Sequence, residues 1–314
     1  MTALGRSGID VFPLSLGGNT FGWTSDEATS QDVLDAYVAA GGNFVDTADS
    51  YTAWVPGNSG GESETILGTW MAARKNREQI VVGTKVAQHP EFRGLSASNV
   101  AAAADASLAR LQTDYIDLYY AHQDDPETPL DEIAGAFDAL VKAGKVRAVG
   151  LSNFTGARTG EWLEIARREG FALPVAVQPH YNLVKRAGYE TDLAPAVAAE
   201  QLAVVPYFGL ASGFLTGKYR TKADLEGFRG RLAAGYLSEP GLAVVEALEK
   251  VAGARDVEPA TVALAWLRSR PGVVAPLASA RTLDQLPALL ASATLELNED
   301  ERATLDQVSA LVPE

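Results

Sequence analysis

The sequence alternates between short apolar runs and longer segments with helical spacing, and this alternation constrains the fold more than any other feature. Eight runs rich in β-branched and aromatic residues are strand candidates: 12–16, 43–47, 80–86, 115–121, 146–151, 175–178, 203–208 and 273–279. Most of their onsets lie about 28–37 residues apart, the length of a strand–helix–strand unit. Eight such units predict an α/β fold: a single (β/α)8 TIM barrel that forms one domain over residues 1–314.

Capping residues at the helical segments support this alternation. Thr128 and Pro129 precede an amphipathic segment in the order expected of an N-cap and a first turn, and Gly144 closes that segment. Gly41 and Gly170 follow helical segments and precede strand candidates, as glycines that end helices do.

The competing fold is a doubly wound sheet, whose dinucleotide fingerprint places G-x-G-x-x-G after the first strand. Residues 17–22 read GGNTFG and lack the glycine at the third position. The same run is not a P-loop, because Trp23 stands where that motif requires lysine. A barrel without a Rossmann domain is therefore favoured.

One interval between strand candidates is longer than the others. About 65 residues separate Phe208 from Val273, roughly double the usual spacing of a strand–helix unit. The excess lies in residues 209–237, which are rich in glycine and cationic residues. A long loop after the seventh strand is typical of a functional segment.

Composition and charge exclude several classes of function. The net charge of −14 argues against nonspecific binding to nucleic acid or to anionic membranes, which requires clustered Lys and Arg. The absence of cysteine excludes disulfides, zinc–thiolate centres and a thiol nucleophile. No stretch approaches about 18 uninterrupted apolar residues. We therefore expect a cytoplasmic protein with no metal site, and the oligomeric state stays open.

Polar residues follow the strand candidates at the end where a barrel builds its active site. Asp46 and Tyr51 follow the second candidate, Lys85 lies at the end of the third, and His122 follows the fourth. Alone, each is more often a turn, packing or structural residue, but together they place ionisable groups at one face. Later strands add a further polar set: Ser152, Asn153, Gln178 and Tyr207.

The four ionisable residues fit one task, the delivery of a proton to an oxygen atom. A tyrosine hydroxyl has an ordinary pKa near 10, and an adjacent Lys85 ammonium is expected to lower the pKa of Tyr51. Asp46 would hold Lys85 and offset the burial of its charge. His122 would hydrogen-bond a substrate carbonyl or assist proton transfer. The reductant would most simply be a nicotinamide cofactor.

The order of six short motifs makes the sequence resemble a known family, the aldo-keto reductases. FVDTADSY, VGTKV, LYYAHQ, GLSNF, VQPHYN and GFLTGKY occur in that family's order and spacing over nearly the whole chain. The resemblance is closest to the bacterial, channel-β-subunit-like branch. It implies a (β/α)8 barrel that binds NADPH in extended form and reduces an aldehyde or ketone to an alcohol reversibly.

The resemblance also implies roles for individual residues. Tyr51 would be the general acid, Lys85 and Asp46 would support it, and His122 would orient the carbonyl. The implied cofactor-binding set comprises Asn19, Thr20, Phe21, Asp46, Ser152, Asn153, Gln178, Tyr207, Phe208, Leu210, Ser212, Lys218, Arg229, Ser279, Arg281 and Gln285.

Within this set, the two ends of the cofactor have different partners. Ser152, Asn153 and Gln178 would hydrogen-bond the nicotinamide carboxamide, and Tyr207 would stack on the nicotinamide ring. The nicotinamide ribose and the substrate would lie near Asn19, Thr20 and Phe21. In the long loop, Leu210–Lys218 would follow the pyrophosphate.

The adenosine end decides between NADPH and NADH. Arg281 would bind a 2′-phosphate through charged, forked hydrogen bonds, and Arg229 is expected to reach across from the long loop. Leu289 stands where many relatives carry an asparagine that hydrogen-bonds adenine. The preference for NADPH therefore depends on Arg281, and NADH is the alternative cofactor.

The implied substrate pocket consists of Phe21, Tyr51, Trp54 and His122. Trp54 lies in the loop after Tyr51, where it would form an apolar wall. The alternative for this loop is a flexible connector.

Three functions are compatible with these residues. The first is an NADPH-dependent carbonyl reductase acting on a small-molecule carbonyl substrate. The second is a non-catalytic, nucleotide-bound regulatory subunit, and the third is a Schiff-base aldolase with Lys85 as its nucleophile. Two observations count against the aldolase. Asp46 would keep Lys85 protonated, and an aldolase gives no role to the polar residues on the later strands.

Overall fold

The computed structural model describes residues 1–313, in which eight parallel strands form one curled sheet. The strands are β1 (Ser15–Gly17), β2 (Phe44–Asp46), β3 (Val81–Val86), β4 (Ile116–Ala121), β5 (Val146–Ser152), β6 (Pro174–Gln178), β7 (Ala203–Val204) and β8 (Leu277–Ala278). Each strand pairs with the next from β1 to β7, and β8 pairs with β1. A parallel bridge between Val204 and Val273 closes the ring between β7 and β8. The predicted barrel is confirmed.

The predicted first, seventh and eighth strands are shorter in the structure than the sequence indicates, and proline explains this difference. Pro13, Pro206 and Pro276 lie inside the predicted first, seventh and eighth strands. Because proline has no backbone N–H, the ladder is interrupted at each of them. The carbonyl groups of Pro206 and Pro276 still accept hydrogen bonds, from the Leu277 amide at 3.0 Å and from the Ser15 amide at 2.9 Å.

Helices follow the strands. Within residues 1–313 they are α1 (Glu27–Ala39), α2 (Glu62–Arg74), α3 (Ala97–Leu111), α4 (Leu130–Lys142), α5 (Gly156–Glu169), α6 (Ala194–Glu200), α7 (Gly227–Ala233), α8 (Glu239–Arg255), α9 (Pro259–Arg268), α10 (Leu286–Ala291) and α11 (Glu299–Ser309). From α1 to α6, each helix packs against the next. No helix in this range is both long and apolar enough to cross a membrane.

The predicted helix ends are partly correct. Gly170 ends α5 with a left-handed φ of 70°, and Gly41 and Gly144 adopt φ values of 91° and 75° just after α1 and α4. Thr128 is not the N-cap of α4, because Pro129 occupies that position. The Thr128 hydroxyl donates instead to Asp125 Oδ2 at 2.8 Å.

The long segment after β7 is folded rather than an open loop. It begins with a 3₁₀ helix at Ala211–Thr216, continues through a 3₁₀ turn at Lys222–Asp224, and contains α7 and a further turn at Ala234–Tyr236. The structure confirms that the long segment follows the seventh strand. It differs from the predicted loop because it contains short helices.

Two hydrophobic clusters fill the protein and determine which end of the barrel is open. The larger cluster lies between the sheet and the helices. The smaller one contains inward-facing strand residues such as Phe44 and Leu118, together with Leu4, Ile9 and Val11. These last three come from a hairpin of two short strands, Thr2–Ala3 and Asp10–Val11. The hairpin fills the N-terminal end of the barrel, so the polar groups gather at the C-terminal end. A second hairpin, Gln88–His89 with Phe92–Arg93, follows β3.

Candidate active site

Lys85, on β3, is fully buried, and all three of its N–H donors have partners. Its Nζ donates to Asp46 Oδ1 at 2.5 Å, to the Thr47 carbonyl oxygen at 2.6 Å and to the Tyr51 hydroxyl oxygen at 2.8 Å. Three oxygen acceptors around one nitrogen satisfy an ammonium group. Burial lowers the pKa of Lys85, and the adjacent Asp46 carboxylate opposes that shift.

Tyr51 holds its proton more tightly than the sequence suggests. Its hydroxyl accepts from Lys85 and donates to Asp46 Oδ1 at 3.3 Å. Burial, followed by the negative charge of Asp46, raises the pKa of Tyr51 well above its ordinary value. The predicted lowering of this pKa is wrong, because desolvation of the phenolate and repulsion from Asp46 outweigh the attraction of Lys85. Tyr51 is therefore protonated at neutral pH, as a proton donor must be.

His122 follows β4, with its ring centroid 6.2 Å from that of Tyr51. Burial, and then the charge of Lys85, lowers the pKa of His122 well below its ordinary value. The imidazole is therefore neutral and carries a single N–H donor. Its Nδ1 atom is buried without a hydrogen-bond partner among residues 1–313.

A hydrogen-bonded set from β5 and β6 extends the polar region. Gln178 Nε2 donates to Asp46 Oδ2 at 2.7 Å, and the Ser152 hydroxyl donates to the Gln178 carbonyl oxygen at 2.9 Å. The Asn153 Oδ1 atom accepts from the Tyr207 hydroxyl at 2.7 Å. Both oxygens of Asp46 are thus held, one by Lys85 and one by Gln178.

Many of these side chains line one cavity of about 710 Å³, whose wall also includes Arg281. The sequence-predicted residues in its wall are Asn19, Tyr51, Trp54, His122, Ser152, Asn153, Gln178, Tyr207, Phe208, Leu210, Ser212, Lys218, Arg229, Ser279, Arg281 and Gln285. Asp46 is fully buried and does not line the cavity.

Thr20 and Phe21 lie outside this cavity, which differs from the sequence expectation. Both are fully buried, and the Phe21 ring belongs to the larger hydrophobic cluster. The reason is a short 3₁₀ turn over Gly18–Thr20, in which the Phe21 amide donates to the Gly18 carbonyl at 3.0 Å and the ring packs inward. Asn19 alone of the three reaches the cavity, and its Oδ1 accepts from the Ser279 hydroxyl at 2.5 Å.

Three cations line one part of the cavity and lie near one another. Lys218, Arg229 and Arg281 form no ion pair with any carboxylate among residues 1–313. Burial, and then the charge of Arg281, lowers the pKa of both Lys218 and Arg229. The Nε and Nη2 atoms of Arg229 are buried without hydrogen-bond partners in the described part of the chain. The part of the cavity lined by these three cations therefore has the positive charge and the unpartnered N–H donors to bind a polyanion.

Comparison with known proteins agrees with this architecture. A model of the aldo/keto reductase family matches residues 13–310. The chain belongs to the aldo/keto reductase family. It is similar to protein tas of Escherichia coli K12, with 33% identity over 96% of this chain and 95% of that protein. It is also similar to norsolorinic acid reductase B of Aspergillus parasiticus (34% identity, 93% of this chain, 79% of that protein). A third relative is a probable voltage-gated potassium channel subunit beta of Oryza sativa subsp. japonica (32% identity, 90% and 88%).

The predicted family is thereby confirmed, and so is the general prediction that the protein is an oxidoreductase. As in other α/β barrels, this aldo/keto reductase gathers its polar side chains at the C-terminal ends of the strands. Within residues 1–313, no group of three or more His, Cys, Asp or Glu side chains is arranged to hold a metal ion.

Sequence reasoning missed several residues of the aldo/keto reductase cavity. They include Trp23, Gln88, Phe228, Leu232, Glu258, Pro259 and Asp284. A signal was present for Phe228 and Leu232, because apolar residues four positions apart in a polar segment indicate one face of a helix. For Trp23, the local sequence gives no comparable pattern.

Backbone strain marks the same cavity. Asn153, Phe208 and Ser212 line it and adopt left-handed φ values of 58°, 54° and 58°, which are uncommon outside glycine. Such conformations cost free energy and tend to occur at functional sites. These three residues belong to the segments that follow β5 and β7.

Proposed function

We propose that this protein is an NADPH-dependent carbonyl reductase that converts an aldehyde or ketone to an alcohol reversibly, with NADH as the alternative cofactor. The observation that carries the proposal is the composition of one cavity. A protonated Tyr51 hydroxyl lies at one part of it, on a buried Lys85–Asp46 pair. Unpaired cations lie at another part.

The cavity residues fit a phosphorylated dinucleotide. Arg229 has two buried, unpartnered nitrogen donors, and Lys218 and Arg281 have no neighbouring carboxylate partners among residues 1–313. These groups would hold the phosphates, since charged N–H donors bind phosphate oxygens strongly. Ser152, Asn153 and Gln178 would hold the carboxamide end.

The chemistry of the proposed reaction is divided between cofactor and protein. When bound, reduced nicotinamide supplies a hydride to the carbonyl carbon. Tyr51 donates its hydroxyl proton to the carbonyl oxygen, and the Lys85 ammonium at 2.8 Å stabilises the phenolate that remains. The neutral His122 imidazole donates a hydrogen bond to the same oxygen. Asp46 and Gln178 keep Lys85 oriented.

The similarity to a potassium channel subunit leaves the regulatory subunit as the second candidate. Both candidates bind a dinucleotide, so binding alone does not separate them. Turnover does, because only the enzyme consumes reduced cofactor in proportion to added carbonyl.

A substrate panel tests the proposal. Aldehydes, diketones and sugars are mixed with NADPH or NADH, and the loss of reduced-nicotinamide absorbance is followed. We expect turnover of at least one carbonyl class. The median kcat of enzymes, about 10 s⁻¹, is the reference against which the measured rate is judged. Tight NADPH binding with no turnover across the panel would instead support the regulatory subunit.

A further inference from the structure

Three aromatic side chains, two from loops and one from helix α7, form one apolar surface in the cavity. The ring of Trp23, after β1, packs edge-on against Trp54, after β2, with centroids 5.7 Å apart. The same Trp23 ring packs edge-on against Phe228 of α7 at 5.3 Å. Leu232 lies one helical turn after Phe228 and lines the same cavity. We call Trp23, Trp54, Phe228 and Leu232 the aromatic wall.

The aromatic wall leaves much of its surface uncovered. Trp54 is 46% exposed, and Phe228 and Leu232 are each 42% exposed. Three of the seven large apolar side chains that are exposed among residues 1–313 therefore belong to this wall. A contiguous exposed apolar patch within a cavity is typical of a ligand-binding surface.

The aromatic wall begins beside the proton donor. The centroids of Tyr51 and Trp54 are 6.4 Å apart, and His122 lies on another side of Tyr51 at 6.2 Å. Trp54 thus connects the aromatic wall to the ring that carries the hydroxyl of the proposed proton donor.

Hydrogen bonds fix the wall in place. Asn58 Nδ2 donates to the Gly22 carbonyl oxygen at 3.0 Å and so links the loop after β2 to the loop after β1. The Glu62 carboxylate accepts from the Thr52 hydroxyl at 2.6 Å and from the Ser59 amide at 2.7 Å. The loop that carries Trp54 is therefore held at both sides, which disfavours the alternative of a flexible connector.

We infer that the aromatic wall binds the flat, apolar body of the substrate, so that the substrate class is fused-ring aromatic aldehydes and ketones. The inference rests on the proposed carbonyl reduction at Tyr51. Flat aromatic rings stack on aromatic faces and edges and displace water from them. A sugar of similar size would instead place hydroxyl groups against the wall without hydrogen-bond partners, which weakens binding.

Trp23 is the specificity-determining residue within this wall. It contacts both Trp54 and Phe228, and the Arg229 guanidinium lies 5.7 Å from its ring centroid. Trp23 thus joins the loop after β1 to α7, and its indole orients the other two rings. Its replacement alters the shape of the wall without changing Tyr51, Lys85 or His122.

A matched pair of aldehydes tests flatness apart from size. 2-Naphthaldehyde is flat, whereas decahydro-2-naphthaldehyde has the same carbon skeleton without aromatic planarity. We expect a higher kcat/KM for 2-naphthaldehyde, and a still lower value for an aldose. Trp54→Ala and Phe228→Ala should each lower kcat/KM for 2-naphthaldehyde about tenfold, the equivalent of about 1.4 kcal/mol for a lost aromatic contact. The decahydro compound should be affected less.

Controls separate the wall from general effects on the protein. Trp54 and Phe228 are half-exposed, so these variants should fold, and circular dichroism checks this. Leu311 is 71% exposed and lies outside the cavity, so Leu311→Ala should leave both aldehydes unchanged. Trp23→Phe should retain turnover while reducing the preference for the flat aldehyde.

A binding measurement distinguishes failure of the wall from failure of the proposed reaction. Calorimetry on Tyr51→Phe, with NADP present and then absent, compares 2-naphthalenemethanol with its decahydro analogue. If the flat alcohol binds more strongly than its decahydro analogue, and adding Trp54→Ala abolishes this preference, the aromatic wall is supported even when no carbonyl is turned over. Turnover of the aldose and the decahydro aldehyde as fast as 2-naphthaldehyde, with no preference in calorimetry, would overturn the wall and leave carbonyl reduction standing.

Discussion

The Nζ atom of Lys85 lies 2.8 Å from the hydroxyl oxygen of Tyr51, and its other two hydrogen bonds go to Asp46 and to the Thr47 carbonyl. The ammonium is therefore fixed by three acceptors, and it points at the one phenol that lines the cavity beside it. In the proposed reaction, this buried arrangement would make Lys85 a support for Tyr51 rather than a group that meets substrate directly.

Tyr51→Phe should lower carbonyl reduction by about 10²- to 10⁴-fold, the usual contribution of a positioned proton donor. Dinucleotide affinity should change little, because the substitution removes only the hydroxyl group and keeps the aromatic ring and its packing. Steady-state kinetics and fluorescence titration with NADPH measure the two effects. Tyr115→Phe is the control, since Tyr115 packs against Arg77, away from the cavity. Near-normal turnover by Tyr51→Phe would remove Tyr51 from the acid role.

The buried Lys85–Asp46 pair should show strong coupling in a double-mutant cycle. Asp46→Ala leaves a buried ammonium without its counter-ion and should lower the free energy of unfolding by about 3–5 kcal/mol. Replacing both residues, as Asp46→Ala with Lys85→Met, should cost less than the sum of the two single changes. Urea unfolding measures each variant. The exposed pair of Lys145 and Asp105 is the comparison, where Asp105→Ala should cost less than about 1 kcal/mol. Additive losses at Lys85 and Asp46 would contradict the coupling.

Borohydride trapping should not label Lys85 in the presence of an aldehyde. Schiff-base formation needs a neutral, accessible amine, whereas Lys85 is fully buried and its three donors are engaged. Mass spectrometry of peptides from the trapped protein locates any adduct. Exposed lysines such as Lys145 serve as an internal measure of nonspecific labelling. A stoichiometric adduct on Lys85 would restore the aldolase alternative.

The barrel and the ends of its strands could be predicted from sequence because they follow from local periodicity. Lys85, Asp46 and His122 end strands, so the topology alone places them at one face. The pKa of Tyr51 could not be predicted, because it depends on how burial and Asp46 balance Lys85 in three dimensions. The burial of Phe21 could not be predicted either. The sequence places Phe21 in the pocket, but a short turn determines which way its ring faces and directs it into the core.

The contribution of Arg281 should appear as a difference between two cofactors. If Arg281 binds the 2′-phosphate, Arg281→Ala removes charged hydrogen bonds and should weaken NADPH binding by about 10- to 100-fold. NADH lacks that phosphate and should bind almost as before. Fluorescence titration gives both dissociation constants. Arg255→Ala is a matched control, because Arg255 pairs with Glu301 on the surface. Equal weakening of both cofactors would refute the phosphate contact.

Asp49 is a buried carboxyl group that the proposed reaction does not use. It is fully buried, and neither carboxylate oxygen has a hydrogen-bond partner among residues 1–313. Burial, and then the charge of Glu64, raises the pKa of Asp49 well above its ordinary value, while Arg110 and Lys85 oppose the shift. A raised pKa means that the folded protein binds this proton more tightly than the unfolded chain does.

The sign of this shift gives a pH prediction. The stabilising effect of protonated Asp49 is complete below the ordinary carboxyl pKa of about 3.9, and it is lost as pH rises through the higher folded-state pKa. Asp49→Asn mimics the protonated group at every pH, so its stability relative to the original protein should increase from pH 4 toward pH 8. Asp35→Asn is the control and should show almost no trend over this range, because Arg74 lowers the pKa of Asp35, so that the stability this carboxylate contributes is lost only below about pH 4. Denaturant unfolding across this range measures both variants, and a pH-independent effect of Asp49→Asn would show that Asp49 does not carry the shifted proton.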